Sequence, residues 1–88
     1  MNGVDRMGIE FKLGGILEEL KLSKNALAVE GKIRPATVAK YETGDMGRIE
    51  IDTLVSILDT LNRMAAEKGV DKTYSLEDLI EYKYEGAK

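Results

Sequence analysis

The chain contains no cysteine and no histidine. Without cysteine there is no disulfide scaffold and no thiolate zinc site. Without histidine, most transition-metal sites and every histidine-dependent general base or triad are excluded. Long apolar runs are missing too, and none approaches the roughly 18 residues that span a bilayer. No charged-then-apolar signal peptide opens the chain. The neighbouring acids Glu18/Glu19 and Glu77/Asp78 point to different helix faces, so they do not form an acid/base pair. These absences argue against an enzyme, a metal or a cofactor, and no small-molecule site is evident. They point to a small soluble, cytoplasmic binding module.

What is present is short and ordinary in bulk. The 88 residues allow one domain, and 43% are hydrophobic, as in a globular protein. A chain this size has a thin core. The net charge of −3 argues against a general nucleic-acid binder, but the charge is unevenly placed. Residues 24–40 carry Lys24, Lys32, Arg34 and Lys40 against Glu30, a net of +3. Residues 1–23 carry −1 and residues 41–88 carry −5. A basic island thus sits in an acidic chain, either as a solvated helix surface or as a site for an anion.

Five helices can be read, so the expected fold class is all-α. Leu13, Ile16, Leu17 and Leu20 make one helix face. Gly14 and Gly15 weaken its start, which is expected only near Gly15. Ser23 caps a short helix over 24–30 that Gly31 can stop. Pro35 opens a third helix running to about Thr43, because a first turn has no use for its missing N–H. Gly44 ends that helix, and Gly44-Asp45-Met46-Gly47 reads as a loop. Asp52 is expected to cap a fourth helix with the stripe Leu54, Ile57, Leu58, Leu61, Met64 and Ala65, ending near Lys68 and Gly69. Ser75 with Asp78 opens a last short helix with Leu76, Leu79 and Ile80 inward. Period-two alternation at 9–13 and 80–84 adds short terminal β-strands, pairing within one chain or between two; the alternative is that both are helix ends.

The span Leu22–Gly44 carries the functional signal. Two short helices crossing steeply need a small residue at the crossing and apolar residues on the facing sides. Ala28 supplies the first, and Leu27, Val38 and Tyr41 supply the others. The N-terminal half of the second helix is then left to project, with the dimensions of the DNA major groove. The run Leu22-Ser23-Lys24-Asn25-Ala26-Leu27-Ala28, then Ile33, Thr37-Val38 and Tyr41-Glu42-Thr43-Gly44, resembles the phage-repressor and Cro (Xre-type) helix-turn-helix family. The segments 48–54 and 76–82 extend the resemblance over most of residues 11–82. It implies a compact five-helix, lambda-repressor-like domain over residues 9–84. Residues 85–88 are then a tail. Residues 1–8 are either a flexible arm, with Arg6 reaching a minor groove, or a remnant ahead of a native start at Met7.

The resemblance also implies roles. Residues 24–30 would position the domain, and residues 35–43 would be the recognition helix. Arg34, Pro35, Ala36, Thr37, Ala39 and Lys40 would face bases, with Lys40 on a guanine edge and Ala36 on a thymine methyl. Ser23, Lys24, Lys32, Thr43 and Arg48 would face phosphates. Each charge has a plain reading as a solvated surface group, and each alanine as a helix former. The implied function is a sequence-specific DNA-binding transcriptional regulator. It would act as a repressor at a palindromic operator and as a homodimer on double-stranded DNA. Phages, mobile elements and toxin–antitoxin loci are the usual settings.

Three departures qualify this. The turn glycine of the family falls one residue later, where Lys32 stands. The family's glutamate at Glu42 usually pairs with a basic residue of the first helix, and Leu17 occupies that place. Residues 63–73 look like an insertion, so the segment 63–75 is either a surface for a protein partner or a plain extension. The acidic balance and the alanine-lined face of residues 35–43 support an alternative function, a protein-interaction module, antitoxin-like or an adaptor, with weak or no DNA binding.

Overall fold

Leu13, Ile16, Leu17 and Leu20 are all buried, and together they turn one face of the first helix into the shared core. In the computed structural model, which describes residues 8–84, the order is β1 (Ile9–Phe11), α1 (Leu13–Leu20), α2 (Lys24–Gly31), α3 (Pro35–Thr43), α4 (Ile51–Glu67), α5 (Leu76–Leu79) and β2 (Ile80–Tyr82). The expected arm and tail lie outside the described residues, apart from Gly8. The all-α fold of five helices with short terminal strands is what the residues form.

The strands pair with each other within the chain, antiparallel, in the register Ile9↔Tyr82, Glu10↔Glu81 and Phe11↔Ile80. They are shorter than the alternation implied, because Leu13 is drawn into α1 and α5 runs straight into Ile80. The ladder continues at both ends: the Lys12 N–H donates to the Leu79 carbonyl (2.8 Å) and the Lys83 N–H to the Gly8 carbonyl (2.7 Å). This ribbon ties the N-terminal side of α1 to the end of α5.

Three helix starts or stops differ from expectation, each for a packing reason. α1 begins at Leu13, not near Gly15. Leu13 is fully buried and Lys12 is anchored to Leu79, so burial outweighs the glycine cost. α2 includes Gly31, and the left-handed position falls on Lys32 (φ 56°). A Cβ on Gly31 would lie 2.9 Å from the Thr60 hydroxyl of α4, so this glycine serves close helix approach, not the turn. α4 begins two residues early: Glu50 is its N-cap, and Asp52 lies in the first turn instead. Glu50 is held extended because its N–H donates to the Tyr41 hydroxyl (3.2 Å).

Lys21 repeats the geometry of Lys32. It ends α1 at φ 56°, with its N–H on the Glu18 carbonyl and the Leu22 N–H on the Leu17 carbonyl. At α2 the Lys32 N–H goes to Val29 and the Ile33 N–H to Ala28. Both are Schellman caps with lysine where glycine is usual. At the last helix, the Asp78 carboxylate accepts the Ser75 N–H (2.9 Å), which holds its pKa below the ordinary value. Leu79 is buried there, but Leu76 is half exposed and not inward as its spacing implied.

The segment after α4 is pinned to the body. Asn62 makes two hydrogen bonds to the Tyr74 backbone (2.6 and 3.0 Å), and the Tyr74 hydroxyl donates to Glu19 (3.1 Å). Burial, then that carboxylate, pushes the Tyr74 hydroxyl pKa up. Arg63 pairs with Glu30 and Lys72 with Glu19. No helix among the described residues is long and apolar enough to cross a membrane.

Candidate nucleic-acid interface

Ser23 sets where α2 begins. Its backbone is extended, and its hydroxyl accepts the Ala26 N–H at 2.9 Å. Leu27 and Ala28 are buried, and the small Ala28 lets α2 and α3 approach closely. Pro35 stands at the first position of α3 and Gly44 (φ 81°) at its end, so the helix has the expected bounds. Val38 and Tyr41 face inward. Tyr41 does more than fill the core. Its ring meets Phe11 edge-on at 6.5 Å, and its hydroxyl holds Glu50 at the head of α4. A Cβ on Gly44 would lie 2.8 Å from the Phe11 ring, so α3 must stop there for β1 to pass.

With Val38 and Tyr41 inward, the opposite side of α3 faces solvent. Arg34, Pro35, Ala36 and Lys40 are exposed, whereas Thr37 and Ala39 are half buried. The Arg34 side chain makes no capping bond to the helix start. Two clefts flank this face. One of about 620 Å³ is lined by Thr37, Lys40 and Arg48 with Met46, Glu50 and Thr53. The other, of about 250 Å³, is lined by Lys32, Arg34 and Thr37 with Asp52 and Ser56. Thr37 and Thr53 border both clefts. The fold therefore gathers Arg34, Thr37, Lys40, Lys32 and Arg48 around one helix.

Ser23, Lys24 and Thr43 are exposed but line neither cleft. The Thr43 hydroxyl is engaged locally, donating to Ala39 and accepting from the Asp45 N–H. Lys24 holds Glu42 at 3.0 Å. Glu42 thus finds its cation at the start of α2 rather than in α1, where Gly14 instead leaves room for the carboxylate to lie. A lysine ammonium has three donors, so the pairing leaves capacity for a further acceptor.

Sequence reasoning missed the acids of this face. Glu50 and Asp52 line the clefts beside the cations, and they come from the head of α4. The signal was only that they follow Arg48 closely in the chain. Among the described residues no group of His, Cys, Asp and Glu is placed to hold a metal ion.

Residues 16–68, well over half of the chain, match a protein-family model described as helix-turn-helix. No curated protein and no solved structure matches the chain.

Proposed function

The chain belongs to the helix-turn-helix family of the phage-repressor and Cro (Xre) type, and from that membership we propose that it represses transcription by binding a specific operator sequence. The observation that carries the reading is the exposed side of α3, with Arg34 and Lys40 flanking Ala36 and open clefts on both sides. An α-helix about 10–12 Å across with its side chains fits the ~12 Å width of the major groove, and α3 has nine residues to lay along it. Ala36 and Lys40 are four residues apart, so they share one helix face. Lys40 reads a guanine O6/N7 edge, Ala36 meets a thymine methyl, and Arg34 serves base or phosphate at the groove wall. Pro35, Thr37 and Ala39 line the approach. Lys32 and Arg48, on either side of α3, bind phosphates, and so do Ser23, Lys24 and Thr43.

The small side chains Ala36 and Ala39 offer few direct base bonds, so DNA shape supplies part of the specificity. About four phosphate contacts per copy give a salt slope near −3.6 in log–log terms, which is modest. Two copies on a palindrome, with recognition helices roughly 34–36 Å apart, make binding tight. Residues 63–75, with Lys68 and Asp71 exposed, are the surface for a protein partner.

The acids Glu50 and Asp52 in the clefts favour the second reading, a protein-interaction module on the same fold. Mobility shift on random and selected DNA decides between them. The Lys40→Ala variant is expected to lose roughly 1–3 kcal/mol on the selected site only, and Lys24→Ala to weaken all sequences alike. No shift on any DNA at low salt would leave the interaction module standing.

A further inference from the structure

The terminal ribbon has a charged face and an apolar face. In the antiparallel register Ile9, Phe11, Ile80 and Tyr82 fall on one side, and Glu10, Lys12, Glu81 and Lys83 on the other. The charged side makes its own ion pairs, Lys83 to Glu10 at 2.9 Å and Lys12 to Glu81 at 3.3 Å. The Lys83 contact holds the Glu10 carboxyl below its ordinary pKa. The apolar side stays open. Ile9, Phe11 and Ile80 form the floor of a cleft of about 360 Å³, and the segment 44–49 between α3 and α4 forms its wall. Phe11, Ile80 and Met46 also pack on the core, but Ile9 and Ile49 stand outside the core cluster. These two aliphatic side chains border the cleft without serving the interior.

One cation, Arg48, stands at this cleft, and no acidic residue lines it. Arg48 is exposed, and among the described residues its guanidinium makes no ion pair and no hydrogen bond. Glu50 lies on the other side of the segment, in the cleft beside α3. The N–H groups of Gly47, Arg48 and Ile49 donate to nothing among the described residues, so further donors lie along the same wall. An apolar floor with an unpaired guanidinium at its edge is complementary to an amphipathic anion. The planar guanidinium fork matches a carboxylate through two parallel N–H···O bonds. The volume is near the lower end for small-molecule sites, which suits a tail of several carbons better than a peptide.

We propose that this cleft binds a small apolar monocarboxylate, its tail against Ile9, Phe11 and Ile80 and its head on Arg48. Met46, Gly47 and Arg48 line both this cleft and the larger one beside α3. Occupancy therefore draws away from the α3 face a cation that the operator reading assigns to a phosphate. The bound acid is an antagonist of DNA, a regulation that rests on the operator reading. By linkage, DNA weakens the acid by the same factor.

Octanoate is the probe, titrated by calorimetry into the native chain without DNA. It is expected to saturate within the millimolar range. Hexanoate and butanoate should bind more weakly by up to about fourfold per methylene removed, the ratio for full burial of the tail. Octanol keeps the tail without the charge and octylamine reverses the charge, and both should bind roughly tenfold or more weakly. Arg48→Gln should bring octanoate to the level of octanol. Ile49→Glu places a carboxylate at the wall and should weaken octanoate while changing octanol little. Thermal melts check that both variants fold. Amide NMR shifts of the native chain locate the ligand without any variant, and Ile9, Gly47 and Ile80 should move. Octanoate that does not saturate, octanol that binds as tightly, a folded Arg48→Gln that binds as the native chain does, or shifts confined to another face would overturn the site. Saturating octanoate should also weaken binding to a random duplex at low salt severalfold, and octanol at the same concentration should not. Unchanged DNA affinity with the cleft filled would overturn the antagonism. A chain that binds no DNA at all would sink the operator reading, while the calorimetry still decides the site.

Discussion

Lys21 and Lys32 occupy the same left-handed backbone position (φ 56°) at the ends of α1 and α2, yet only Lys32 borders a cleft beside α3. Replacing each with glycine separates stability from binding. A left-handed residue with a Cβ costs about 1–2 kcal/mol. Glycine returns about 0.5–1 kcal/mol of that through its greater freedom in the unfolded chain. The net gain is about 0.5–1 kcal/mol for either variant, and a domain of this size gains about 4–8 °C in Tm per kcal/mol. Both Lys21→Gly and Lys32→Gly should therefore melt a few degrees higher in calorimetry. Only Lys32→Gly removes a cation that we propose binds phosphate, so its log–log salt slope on DNA should fall by about 0.9. Lys21→Gly should bind as the native chain does. The reasoning fails if Lys32→Gly melts no higher than the native chain, or if the two variants lose DNA affinity equally.

Other consequences follow from single contacts. Gly31→Ala should destabilise by about 1–3 kcal/mol in urea titration, since its Cβ meets the Thr60 hydroxyl at 2.9 Å. Adding Thr60→Ala should recover part of that loss, a non-additive cycle that independent sites would not show. Tyr41→Phe should cost about 0.5–1.5 kcal/mol by removing the hydroxyl that holds Glu50, measured by the same titration. Asp78 has a lowered pKa because it accepts the Ser75 N–H, so its contribution is present above the unfolded value of 3.8 and is lost as pH falls through the folded value. Asp78→Asn should flatten that acid limb in circular dichroism melts below about pH 4.

The helix-turn-helix was legible because its signals are local. Ser23 accepts a bond three residues on, Pro35 sits in a first turn, and Gly44 takes a left-handed angle next to its own helix. The paired strands were legible because isolated strands leave backbone groups unsatisfied, which demands a partner. What sequence could not give depends on contacts between distant residues. Gly31 looks like a helix stop, but Thr60 of α4 explains it, and the strained turn passes to Lys32. Glu42 looks for a cation in α1 and finds Lys24 in α2. The segment after α4 reads as a charged extension, whereas Asn62 and Glu19 bind Tyr74 to the body. At the interface itself, exposure of α3 followed from the inward pattern of Val38 and Tyr41. The acids Glu50 and Asp52 enter the clefts only through the way Tyr41 sets the head of α4.

The operator reading is tested most directly by selecting bound duplexes from a random pool with the native chain and again with Lys40→Ala. The account predicts enrichment of an inverted repeat with half-sites about one helical turn apart, and loss of preference at one base pair per half-site in the variant. Recovery of unenriched sequence with both proteins would contradict it.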